Sequence, residues 1–139
     1  MATARVSFDQ VNLVVSDMQR SVDFYRKLGV SIADGDPHHR NAEGPEEGAS
    51  FDLDSLPFAT QWGRVKRTGP VLGFQVPTRA DVDRLYAELT AAGHAGQQPP
   101  YDAFWGSRYA IVCDPDGNFV GLMSPPEQAH RKPSPPPPA

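Results

Sequence analysis

The sequence predicts an α+β fold: two βαβββ modules sharing one concave mixed sheet. Three observations predict it. A strand-like segment, Phe8 to Val15, passes through a polar turn into an amphipathic stretch, about Met18 to Leu28. A second strand-like segment, Val71 to Val76, does the same into Arg79 to Ala92, and one constant offset sets Val76 where Val15 stood, Tyr86 where Tyr25 stood and Leu89 where Leu28 stood. After each helix the text turns to short strands separated by turn residues.

In the first strand Val11, Leu13 and Val15 form the apolar face that meets the helices, leaving Phe8, Gln10, Asn12 and Val14 on the other. The first helix puts Ser21, Phe24, Tyr25 and Leu28 on one stripe, which reads as core, and Gly29 ends it. Strands follow at Val30 to Ala33, around His39 to Ala42, and at Ser50 to Asp54. Trp62 and the basic cluster Arg64, Lys66 and Arg67 then fall in a polar linker, the cluster reading as a solvated face.

The second module repeats the plan. Leu72, Phe74 and Val76 face the helices, with Val71, Gly73 and Gln75 opposite. The helix stripe is Val82, Leu85, Tyr86 and Leu89, ended by Gly93. A strand at Ala95 to Gln97, a loop through Pro99, Pro100 and Asp102, and a strand at Tyr109 to Cys113 lead to the turn Asp114-Pro115-Asp116-Gly117-Asn118. The last strand, Phe119 to Met123, turns Val120 and Leu122 inward and Phe119, Gly121 and Met123 to the other face. The domain is expected to span 1–125, with modules about 6–60 and 68–125; residues 126–139 form a proline-rich tail expected to be a solvated extension.

With 13 basic and 17 acidic side chains, a net charge of -4 provides no footprint for nucleic acid. No apolar run approaches the ~20 residues that span a bilayer, and the N-terminus lacks a signal-peptide core, so a cytoplasmic protein is expected. The single cysteine, Cys113, excludes an internal disulfide and a cysteine zinc site, and reads as a small buried hydrophobe.

Two segments, QVNLVVSDMQRSVDFYRKLG (Gln10 to Gly29) and WGSRYAIVCDPDGNFVGL (Trp105 to Leu122), resemble the vicinal oxygen chelate superfamily, which includes glyoxalase I, extradiol dioxygenases and bleomycin resistance proteins. The resemblance implies a divalent metal held from the first, fourth, fifth and eighth strands by His, Gln or Glu. Matching the motifs puts Gln10, Val71 and Gly121 at three of those positions, and only Gln10 carries a donor. One neutral amide does not hold a transition metal. His38 and His39 are adjacent and would point to opposite faces of a strand, while either Asp52 or Asp54 is a candidate to face the cup. Neither a metal nor another cofactor is therefore expected.

Gly121 and Val71 in place of charged ligands are expected to enlarge the cup for an organic ligand. Flat rings around it suit an aromatic compound: Phe51, Phe58 and Phe119 on or beside cup strands, Trp62, and Tyr101, Phe104 and Trp105 before the seventh strand. Gln10, Asn12, Asp52, Gln75 and Arg108 are the polar anchors, with Gly121 and Met123 completing the surface. The segment FWGSRYAIVCDPDGN resembles the drug-binding members of the superfamily, implying a homodimer with grooves at its interface. The leading expectation is sequestration of a bulky, partly aromatic antibiotic, either a bleomycin-type glycopeptide or a polycyclic natural product. The alternatives are a metal-dependent lyase, isomerase or dioxygenase; a metal-free biosynthetic enzyme using Asp52, Asp54 or His38 as base; and an interaction module acting through its tail.

Overall fold

β1 (Ser7–Val15) lies at the middle of an eight-stranded sheet, in a computed structural model that describes residues 5–28, 30–43 and 49–136. It pairs in parallel with β4 (Ser50–Ser55) and antiparallel with β5 (Gly69–Gln75). β5 pairs in parallel with β8 (Phe119–Met123), as β1 does with β4. Beyond β4 lie β3 (His39–Glu43) and the two-residue β2 (Ser31–Ile32); beyond β8 lie β7 (Arg108–Cys113) and β6 (Gly96–Asp102). The strand order β2-β3-β4-β1-β5-β8-β7-β6 is therefore two copies of one arrangement joined back to back, the α+β plan expected.

α1 (Met18–Lys27) starts where Asp17 accepts the Arg20 N–H at 3.1 Å, and Arg26 and Lys27 in its last turn complement the helix dipole. α3 (Arg79–Ala91) opens with a capping box between Thr78 and Asp81 and is followed by Gly93 at φ +100°, where glycine is favoured. Both helices lie on one face of the sheet. Val22 of α1 is fully buried with Val15, Ile32 and Leu53, and Val82 of α3 with Val76, Ala110 and Leu122. Each such side chain contributes ~1.5–3 kcal/mol through burial. The other face carries the largest core cluster, built on Val14, Val71, Tyr109 and Ile111.

Several expectations need correction. A third helix, α2 (Leu56–Gly63), occupies the linker, capped by Ser55 and with Pro57 in its first turn, so Trp62 is helical and buried. On α1 the buried stripe is Met18 and Val22 with Tyr25 packed alongside; Phe24 and Leu28 face solvent at 58% and 66% exposure. A bulge between Phe8 and Gln10 breaks the alternation and turns Phe8 onto Phe74 of the helix face. Pro99 and Pro100 lie in β6, which tolerates them because it is an edge strand with a register shift between Gln98 and Tyr101. Cys113 is half-buried and packs against the core. Gly29 lies outside the described residues. Among those residues no helix is long and apolar enough to cross a membrane.

Candidate functional site

The face opposite α1 and α3 curves around a cavity of about 400 Å³. One wall is aromatic. Phe58 and Trp62 reach it from α2, Phe104 and Trp105 from the β6–β7 loop, Tyr109 from β7 and Met123 from β8. The rings meet edge to face: Phe104 with Trp105 at 5.2 Å, Trp105 with Tyr109 at 5.3 Å, and Trp62 with Tyr109 at 6.0 Å. The Trp105 indole N–H points to the Met123 sulfur at 3.2 Å. These contacts fix the wall before any ligand arrives.

The opposite wall is polar and comes from the first module. Parallel pairing sets Asn12 beside Asp52 and Val14 beside Asp54, and antiparallel pairing sets His39 beside Asp54 and Asn41 beside Asp52. Residues on one face of three neighbouring strands thus form a hydrogen-bonded row. Gln10 Nε2 donates to Asn12 Oδ1 (2.5 Å), Asn12 Nδ2 to Asp54 Oδ2 (2.8 Å), and the His39 Nδ1–H to Asp54 Oδ1 (2.5 Å). Asn41 donates to Asp52 at 2.8 Å. Asp54 is 1% exposed, so these partners replace its water. The Asp54 hydrogen bond raises the His39 pKa, against desolvation, and burial raises that of Asp52. Burial also pushes Tyr109 well above the ordinary phenol range.

The residues present do not fit the metal that the superfamily resemblance implies. Val71 is 1% exposed and carries no donor, and Gln10 is engaged with Asn12. Above Gly121 the space is already taken: a Cβ there would stand 2.9 Å from the Tyr109 hydroxyl. Tyr109 therefore fills the room that the missing eighth-strand ligand was expected to leave, which corrects the idea that Gly121 enlarges the cup. Among the described residues no three His, Cys, Asp or Glu side chains converge as a metal site.

Of the residues expected at the ligand, Gln10, Asn12, Asp52, Phe58, Trp62, Phe104, Trp105 and Met123 line the cavity. Six of the expected residues lie elsewhere, Gln75 among them at the end of β5 beside Ser7 and Met123. Phe51 pairs with Val11 rather than Asn12 and stacks on Tyr25 at 5.0 Å, on the helix side. Arg108 is ion-paired with Asp83 of α3 (2.9 Å) and Asp102 (3.3 Å). Tyr101 donates to the Trp62 carbonyl at 2.7 Å and lines a smaller neighbouring hollow. Phe119 is buried beneath the Arg67 guanidinium, 3.9 Å from its ring centre. Gly121 lies under Tyr109.

Sequence reasoning missed His39, Tyr109 and Asp36. The sequence reading names His38 rather than His39 as a candidate base, but pairing with Asp54 turns His39, and not His38, inward; His38 instead bonds Ser55 at 2.7 Å. The tail is exposed over 126–136 yet stays on the domain. Its backbone docks on the Trp105 loop through Glu127 N–H to the Gly106 carbonyl (3.1 Å) and Lys132 N–H to the Phe104 carbonyl (2.8 Å), and Pro126 and Ser134 border the cavity. A Cβ on Gly106, at φ +100°, would stand 2.5 Å from the Glu127 carbonyl oxygen, so this approach requires glycine.

A family model for the Glyoxalase/Bleomycin resistance protein/Dioxygenase superfamily matches residues 7–122. Among solved structures, an NAD-dependent benzaldehyde dehydrogenase from Legionella pneumophila is similar at TM-score 0.63 and 21% identity, covering 83% of this chain and 96% of that one. Methylmalonyl-CoA epimerase from Mycobacterium tuberculosis is similar at TM-score 0.58 and 19% identity, covering 93% and 95%. An extradiol ring-cleaving dioxygenase from B. fuscum is similar at TM-score 0.65 and 20% identity over 90% of this chain but 34% of its own. At these identities the likeness is one of fold. No curated protein matches the sequence.

Proposed function

Because the chain belongs to the glyoxalase/bleomycin resistance protein/dioxygenase superfamily, we propose that it binds a compact, partly aromatic natural product in this cavity and holds it without a metal, sequestering an antibiotic from its target. The observation that carries this reading is the pre-built aromatic wall facing a hydrogen-bonded polar row across about 400 Å³. That volume is at the lower end of the ~300–1,000 Å³ typical of small-molecule sites. It suits a flat molecule of two or three rings, so the polycyclic ligand is favoured over a bleomycin-type glycopeptide. The Asp52 carboxylate and the His39 imidazole provide the polar end with an acceptor and a titratable partner. We further propose a cytoplasmic homodimer, although both walls come from one chain.

A panel of polycyclic aromatic antibiotics tests the binding. Trp62 and Trp105 both border the cavity and are the two tryptophans of the chain, so a bound ring should quench fluorescence saturably. Ligand at a hundredfold excess over Kd should stabilise the fold by ~2.7 kcal/mol in thermal melts. Absence of quenching across the panel would sink the reading; binding abolished by a chelator would sink its metal-free part.

A second reading, a metal-free enzyme of the same superfamily, is favoured by one observation: the buried Asp54 carboxylate holds the His39 imidazole at the cavity wall.

A further inference from the structure

We infer that His39, oriented by Asp54, is a general base that removes an acidic proton from a flat aromatic molecule seated in the cavity. This rests on the proposed binding of aromatic molecules there, and adds proton-transfer chemistry to it.

Both Asp54 oxygens are engaged, one by His39 and the other by Asn12, and Asn12 is itself held by Gln10. The carboxylate therefore has one orientation, and it selects one imidazole tautomer: the proton stays on Nδ1 and the lone pair stays on Nε2. His39 borders the cavity with its ring 5.8 Å from that of Phe58, and Asn41 is a lesser side-chain hydrogen-bond neighbour of the imidazole besides Asp54. A ligand lying along the aromatic wall would thus meet a base at its edge. The charge that forms on proton capture is compensated in advance. Asp54 and Asp52 face the imidazole from β4 and Asp36 borders the same cavity from the β2–β3 connection, while no lysine or arginine lines it among the described residues. Satisfying a buried Asp54 needs only a donor, which an amide would supply as well. A base requires the imidazole.

The step balances without metal, oxidant or co-reactant. With a nitrobenzisoxazole as probe, Nε2 takes the proton from the ring carbon beside nitrogen, and the C–H electron pair forms the nitrile. The N–O bond breaks and its electrons leave on oxygen as a coloured phenolate. Water then recovers the proton from the imidazolium. Here His39 is the catalytic residue; Asp54 and Asn12 are positioning residues.

The experiment follows phenolate release by the full chain, with the ring-methylated analogue, which lacks the acidic proton, as a binding control read by tryptophan quenching. Saturable release is expected, rising with pH through one ionisation whose midpoint lies above the ordinary imidazole value of 6.5. His39→Gln should lower kcat by about a hundredfold or more, a loss well beyond any change in the analogue's binding read by quenching. Asp54→Asn should move the midpoint to lower pH, because the Asp54 hydrogen bond is the main cause of the rise. His39 is one-third exposed, so His39→Gln decides the matter even where Asp54→Asn fails to fold. Quenching by the analogue with release no faster than in His39→Gln overturns the base and leaves the binding reading standing. Quenching by neither compound overturns both.

Discussion

The first module faces the cavity with Gln10, Asn12, His39, Asp52 and Asp54, bonded side chain to side chain; the second faces it with Phe104, Trp105, Tyr109 and Met123, packed ring to ring. Both modules have the same strand order and meet through equivalent central strands, β1 and β5. The repeat therefore decides which positions look inward, and residue choice decides what they present. Each half solves a different problem of burial. Polar groups lose water and must find partners within the row, whereas rings gain by leaving water and need only complementary shape. A ligand with a flat body and a polar edge reads both halves at once.

The aromatic half should be the more sensitive to truncation. Tyr109 is the ring against which Trp62, Tyr101 and Trp105 all pack. Tyr109→Ala is expected to lower stability by ~3–5 kcal/mol in urea unfolding; a loss under about 1 kcal/mol would show that the wall is not one packed unit. Next in size comes the tail. Truncation after Pro126 removes the two backbone bonds to the Trp105 loop, each worth ~0.5–1.5 kcal/mol net, and takes Ser134 from the cavity rim. Weaker binding of the antibiotic panel is expected, with the melting temperature lowered by a few degrees. Unchanged affinity would make the tail irrelevant to the site.

The smallest effect sharpens the polar half through pH. His39 has a raised pKa in the fold, so its stabilisation is full below 6.5 and is lost as pH rises through the folded value. Asp52 is also raised, chiefly by burial, so its contribution is present below 3.8 and lost as pH rises through its own folded value. Stability should decline as pH rises above 3.8 and again above 6.5, the first contribution removed by Asp52→Asn and the second by His39→Gln. A single decline unaffected by either variant would mean that the row does not titrate as a coupled wall.

Much of the architecture was legible because alternation and capping are local. β1, β4, β5 and β8 and the two long helices follow from side-chain period, and the end of the second long helix from Gly93. α2 escaped because LPFATQWG shows no helical stripe, although Ser55 and Pro57 are start signals. The site was half legible. Eight expected residues border the cavity: Gln10, Asn12, Asp52 and Met123 through strand alternation, Phe104 and Trp105 through loop position, and Phe58 and Trp62 from a helix that the sequence reading did not include. The rest depended on which strands become neighbours: His39 gains its role from lying opposite Asp54, and Tyr109 fills the space over Gly121 from the adjacent strand. Neither relation is written in the spacing of residues along one segment.

The tail is fastened to the Trp105 loop by peptide groups, Glu127 to Gly106 and Lys132 to Phe104, with Gly106 bare beneath it. Such a fastening is indifferent to the side chains it carries. The rim at Pro126 and Ser134 can thus be redrawn by substitution without disturbing either wall, which makes the width of the doorway tunable independently of the chamber behind it.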